Sequence, residues 1–107
     1  MGAPEGEKAA PIMAYTIVYH PAVLAEDVPS INRNLQTRIM QAIEKRLKTE
    51  PTYYGAPLRH QLKGYWKLRV GDYRVVYQIR GQEVWILKIN HRKDVYALSP
   101  QRLLWRL

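Results

Sequence analysis

Lys67, Arg69, Arg74, His91, Arg92 and Tyr96 are the residues of this chain whose types and spacing could do chemistry. Lys67 and Arg69 lie two apart in Trp66-Lys67-Leu68-Arg69-Val70, and Arg74 opens Tyr73-Arg74-Val75-Val76-Tyr77, with Gly71-Asp72 between the two runs. Glycine supplies the positive φ of a two-residue hairpin turn, so the spacing predicts Val70 opposite Tyr73 and Arg69 opposite Arg74. Like charges directly opposite on adjacent strands destabilise a sheet by about 0.2–1 kcal/mol. A polyanion seated between the two guanidiniums would offset that cost, which points to phosphate.

Cleaving RNA without a metal needs a group to take the 2′-hydroxyl proton, cations for the charge on the phosphorane-like transition state, and an acid for the leaving 5′ oxygen. His91 is suited to proton transfer near neutral pH, and Lys67 can act as a base in its neutral form. Arginine stays protonated in proteins, which assigns Arg69, Arg74 and Arg92 to phosphate binding and charge stabilisation. Tyr96 can stack on a base or bond a phosphate oxygen. Taken singly, each residue has a plainer assignment: a solvated strand lysine, a turn salt bridge between Arg74 and Asp72, a structural histidine, a tyrosine lid on the core. What favours chemistry is convergence on one face.

Three strands over about 65–70, 73–80 and 83–91, joined by Gly71-Asp72 and Gly81-Gln82, form the predicted antiparallel meander. Counting through both turns puts Trp66, Leu68, Val70, Tyr73, Val75, Tyr77, Ile79, Val84 and Ile86 on one apolar face, which should receive helices. Lys67, Arg69, Arg74, Val76, Gln78, Trp85, Leu87, Ile89 and His91 fall on the other, whose cationic end adjoins Arg92-Lys93. Tyr15 to Tyr19 reads as a first strand ended by Pro21, and Ala22 to Ser30 as a short helix that Pro29 ends or kinks. Asn32 can cap a longer helix to about Thr49, with Leu35, Ile39, Ile43 and Leu47 recurring every four residues. Glu50-Pro51 stops it, and 51–64 reads as an irregular connection. The tail from Gln101 to Leu107 is rich in Leu, Trp and Arg and could pack on the core or anchor a partner.

The chain's 107 residues suffice for one domain with a modest core. A disordered extension over 1–12 and one domain over 13–107 are expected. Without cysteine, neither a disulfide framework nor a Cys-based zinc site is available. With no long apolar run or secretion signal, a cytoplasmic protein that does not engage a membrane is expected. The net charge is +8, and all of the excess lies in residues 59–107, where eleven Lys/Arg meet Asp72, Glu83 and Asp94 alone. Such segregation is an electrostatic footprint for nucleic acid or an acidic protein.

These strings, above all Leu62-Lys63-Gly64-Tyr65-Trp66-Lys67-Leu68-Arg69-Val70-Gly71-Asp72-Tyr73-Arg74-Val75-Val76-Tyr77 and Ile89-Asn90-His91-Arg92-Lys93-Asp94-Val95-Tyr96, resemble the RelE family of type II toxins in the RelE/ParE superfamily over about residues 14–97. The resemblance implies an α+β fold: a small antiparallel or mixed sheet of about four strands with two N-terminal helices on one face. It implies metal-independent cleavage of mRNA in the ribosomal A site, inhibition of translation, no cofactor, and neutralisation by a cognate RelB-like antitoxin with an acidic C-terminal segment. It gives a base or charge-stabilising role to Lys67, puts Arg69 where the family has a second lysine so that Lys67 alone of the two can give up a proton, assigns phosphate binding to Arg74, and gives further site roles to Arg92 and Tyr96. His91 lies where some relatives place a catalytic histidine. Two other functions suit the same scaffold: a ParE-like inhibitor of DNA gyrase, and a non-catalytic module that binds RNA or antitoxin.

Overall fold

A computed structural model describes residues 14–106, so the extension expected over 1–12 lies outside the described residues. Five strands form one mixed sheet: β1 (Thr16–Tyr19), β2 (Ala56–Pro57), β3 (Trp66–Val70), β4 (Tyr73–Arg80) and β5 (Glu83–His91), in the order β1-β5-β4-β3-β2. β1 runs parallel to β5, and the other neighbours are antiparallel. The fifth strand is the two-residue edge piece β2, inside the segment read as irregular connection. Gly71 and Gly81 take φ of 60° and 62°. Both hairpins therefore close as their sequences predict, with Val70 opposite Tyr73, Arg69 opposite Arg74, and Arg80 opposite Glu83.

After β1 the chain makes a π-helical turn over Val23–Asp27 and a 3₁₀ turn over Val28–Ser30, then enters α1 (Arg33–Ala42). Asn32 caps α1, its side-chain oxygen accepting from the Asn34 N–H at 2.9 Å. A π-helical stretch, Ile43–Leu47, continues α1. The four-residue stripe lands as expected, with Ile39, Ile43 and Leu47 buried against Leu68, Val70, Val75 and Tyr77. Burying each such side chain contributes roughly 1.5–3 kcal/mol. Pro51 starts α2 (Pro51–Tyr54), which rests on the sheet where the Tyr77 hydroxyl donates to the Pro51 carbonyl. No helix among the described residues is long and apolar enough to cross a membrane.

The opposite face has a small core of its own. Val76, Trp85, Leu87 and Val95 are buried outside the helix-side cluster, under the segment that leads into α3 (Pro100–Leu103). Trp105 meets Trp85 edge-on at 4.8 Å between ring centres and His20 at 4.7 Å. The Leu/Trp/Arg tail thus packs on the sheet.

Candidate functional site

Two adjacent rows across β3, β4 and β5 carry the cations. One row runs Lys67, Val76, Lys88, and the next runs Arg69, Arg74, Asn90. Directly paired residues share a face of the sheet, so Lys67, Lys88, Arg69 and Arg74 all stand on the face away from α1. Val76 is fully buried between the two lysines. The Arg74 guanidinium turns back on the hairpin, where Nη1 donates to the carbonyls of Gly71 at 2.9 Å and Tyr73 at 3.0 Å. Tyr96 stands over Lys67, with Nζ 6.0 Å from the ring centre. Among the described residues, none of these four cations lies within salt-bridge distance of a carboxylate.

The unbroken count through Gly81-Gln82 fails at Leu87. Tyr77 pairs with Ile86 and Val76 with Lys88, leaving Leu87 as the extra residue of a β-bulge. Every later residue of β5 changes face. Ile89 pairs with Val75 in the helix-side core, and His91 pairs with Tyr73, its ring edge-on to the tyrosine at 5.8 Å. The expectation that His91 shares the face of Lys67, Arg69 and Arg74 is therefore corrected: its imidazole lies on the other side of the sheet, with Nδ1 accepting from the Lys93 N–H at 3.3 Å. Lys88 and Asn90 take the places opposite Val76 and Arg74 that an unbroken count gives to Leu87 and Ile89. The signal was present in the sequence, since an unbroken register buries Lys88 under the helices and leaves Ile89 among cations.

Arg92 is exposed just beyond β5, and its N–H donates to the Asp72 carbonyl at 2.9 Å, which fixes it beside the β3–β4 turn. Tyr96 is 37% exposed and follows the fully buried Val95. The sites of Lys67, Arg69, Arg74, Arg92 and Tyr96 are thus carried by the hairpin, the end of β5 and the turn beyond it.

Sequence reasoning missed Asp27 and Arg102, which meet across the fold as a buried fork. Arg102 Nη1 reaches Asp27 Oδ2 at 2.6 Å and Nη2 reaches Oδ1 at 3.1 Å. The same carboxylate accepts the Ile89 N–H at 2.9 Å, two residues past the bulge, where β1 has ended and can no longer pair with β5. Beside this fork is a cleft of about 350 Å³ lined by His20, Glu26, Lys88, Ser99, Gln101 and Arg102. Burial there holds the His20 pKa below its ordinary value, and the Arg102 charge adds to the effect; the Gln101 backbone, Asp27 and Glu26 oppose it.

Chemically, one face of the sheet offers the Lys67 amine, the Arg69 and Arg74 guanidiniums and the flat Tyr96 ring. That set suits a single-stranded polyanion whose bases can stack. Among the described residues, no three His, Asp or Glu side chains converge as a ligand set for a metal ion.

Residues 17–96 match the family model described as the ParE toxin of the type II toxin-antitoxin system parDE. Toxin RelG of Mycobacterium tuberculosis is 30% identical over 86 residues, which is 78% of this chain and 98% of that protein. Toxin RelE of the same organism is 33% identical over 89 residues, covering 78% of this chain and 92% of its own length. Among solved structures, the RelBE2 toxin-antitoxin complex of M. tuberculosis superposes with a TM-score of 0.69 at 28% identity, covering 74% of this chain and 99% of that one. A mutant of E. coli toxin RelE in the free state shares the fold with a TM-score of 0.65 at 16% identity, over 88% of this chain and 99% of its own.

Proposed function

Because the chain belongs to the RelE/ParE superfamily of type II toxins, we propose that it is an endoribonuclease that cuts mRNA in the ribosomal A site and so stops translation, without a metal. The carrying observation is the pair of rows that puts Lys67, Arg69 and Arg74 on one face with Tyr96 above Lys67. Arg69 and Arg74 take the scissile phosphate, and their mutual repulsion gives way to attraction when the anion arrives. Lys67 accepts the 2′-hydroxyl proton as the 2′ oxygen attacks phosphorus. The bond from phosphorus to the 5′ oxygen then breaks, leaving a 2′,3′-cyclic phosphate upstream, and the proton that Lys67 took passes through one water to the departing 5′ oxygen, which restores the neutral amine. Tyr96 stacks on a neighbouring base, and Arg92 extends the cationic track. The register favours Lys67 over His91 for the proton, because the imidazole faces Tyr73.

The natural partner is an acidic antitoxin segment bound to the basic half of the chain, in line with the +8 net charge. It is supported by the relative solved as a toxin-antitoxin complex. The match to the ParE model favours a second reading, inhibition of DNA gyrase on the same scaffold. One experiment separates the two. Purified protein is added to a cell-free translation reaction and to a gyrase supercoiling assay. Loss of translated mRNA with supercoiling untouched supports the nuclease; blocked supercoiling with intact mRNA selects the gyrase reading.

A further inference from the structure

The position of Tyr96 is set by its neighbours in the chain. Val95 before it is fully buried, and the carbonyl of Ala97 after it accepts from Lys88 Nζ at 2.8 Å. The segment then runs to α3, where Arg102 forks onto Asp27 at 2.6 and 3.1 Å and also donates to the Leu87 carbonyl at 3.3 Å. The Tyr65 hydroxyl adds a bond to the Leu103 carbonyl at 2.7 Å. Two of these anchors start from the bulge. Its extra residue, Leu87, offers its carbonyl to Arg102, and the residue after it, Lys88, holds Ala97. Asp27 links the anchors, since it takes both the Arg102 guanidinium and the Ile89 N–H of β5.

We propose that Asp27, Arg102 and Lys88 are positioning residues for the Lys67–Tyr96 pair. They dock the C-terminal segment on the bulged strand so that the Tyr96 ring stands over the Lys67 amine. The inference rests on the nuclease reading for its effect on rate, and on geometry alone for the Lys67–Tyr96 contact. A displacement of about 1 Å in a positioned group can cost a hundredfold in rate. Loosening either anchor therefore lowers cleavage by roughly 10- to 100-fold, through Tyr96.

The test has two readouts on the full chain. In the first, NMR follows the Lys67 side-chain protons, whose shifts respond to the ring current of Tyr96 and return to their ordinary positions in Tyr96→Ala. Lys88→Met, which keeps the hydrocarbon stem but loses the donor, and Arg102→Lys, which keeps the charge but loses the fork, should both reduce that shift while core methyl resonances stay dispersed. Should Arg102→Lys fail to fold, Lys88→Met removes one bond near the surface and carries the test. In the second readout, cleavage of translated mRNA is measured for Tyr96→Ala, Lys88→Met and the double variant. A residue acting through Tyr96 has no further effect once the ring is gone. An unchanged Lys67 shift in the folded variants, or losses that multiply in the double variant, overturns the proposal. Wild-type protein that cuts no mRNA, yet shows the coupled Lys67 shift, rejects the nuclease reading and supports the positioning.

Discussion

Replacing Asp27 by alanine removes a carboxylate that accepts three hydrogen bonds, two from Arg102 and one from Ile89. The Arg102 fork loses both of its Asp27 bonds, at 2.6 and 3.1 Å, in a place where the two side chains are 12% and 8% exposed. Breaking one partner of a buried ion pair costs about 3–5 kcal/mol, because the remaining charge stays desolvated; Arg102 still meets the exposed Glu26 carboxylate at 3.4 Å, which places this loss at the lower end. The Ile89 N–H also loses its acceptor, a penalty of about 1–3 kcal/mol if water cannot reach it. The two losses share one site and do not simply add, so about 4–5 kcal/mol is expected, out of a typical domain stability of about 5–15 kcal/mol. At about 4–8 °C per kcal/mol for a chain near this size, Tm should fall by about 16–40 °C. The double variant Asp27→Ala/Arg102→Met removes the orphaned charge as well, and should recover most of the loss while leaving the Ile89 penalty. Urea titrations of wild type, single and double variants measure all three. A single variant within 1 kcal/mol of wild type, or a double variant no better than the single, would refute the ion-pair arithmetic.

Arg74→Ala should lower cleavage about 10²–10³-fold, the scale for losing one donor to a developing oxyanion. Its stability should stay within about 1 kcal/mol, because the two bonds to turn carbonyls are lost while the repulsion from Arg69 is relieved; unchanged cleavage would remove Arg74 from the phosphate. Gly55→Ala should destabilise by about 2 kcal/mol or more, although its φ of −98° suits alanine. The new methyl would overlap the Tyr77 hydroxyl and come within 2.8 Å of Cζ of that fully buried ring, so equal or greater stability in urea would show that the ring yields freely. His20 has a lowered pKa in the folded state, so the unfolded chain takes up the proton more readily. Its contribution to stability is complete above about pH 6.5 and is lost as pH falls toward the lower folded value. Wild type should therefore lose more stability between pH 7 and pH 5 than His20→Asn does, and parallel pH curves would exclude His20 as the cause.

Much of the fold was legible because local chemistry and pattern agree there. Gly71 and Gly81 mark the turns, alternation marks β3 and β4, and the spacing of Ile39, Ile43 and Leu47 marks the buried side of α1. The pairing of Arg69 with Arg74 followed from the turn alone. What was not legible depends on distant partners. A strand count carries parity only as far as the first bulge, and nothing near Leu87 in sequence announces that Arg102 will take its carbonyl or that Asp27 will take the Ile89 N–H. Asp27 and Arg102 stand 75 residues apart, beyond the reach of any spacing rule. The face of His91 was misplaced for the same reason that Lys88 and Asn90 were missed. The edge strand β2 escaped because two residues are too few to show alternation, and it exists through pairing of Ala56 with Lys67 and Pro57 with Trp66.

The most direct test of the proposed chemistry is to map the 3′ ends of mRNA fragments after wild-type protein, freed of any antitoxin, meets ribosomes paused on a defined message. Cuts confined to the A-site codon, each leaving a 2′,3′-cyclic phosphate on the upstream fragment, are the predicted result. An intact message, or cuts that ignore the position of the ribosome, would contradict it.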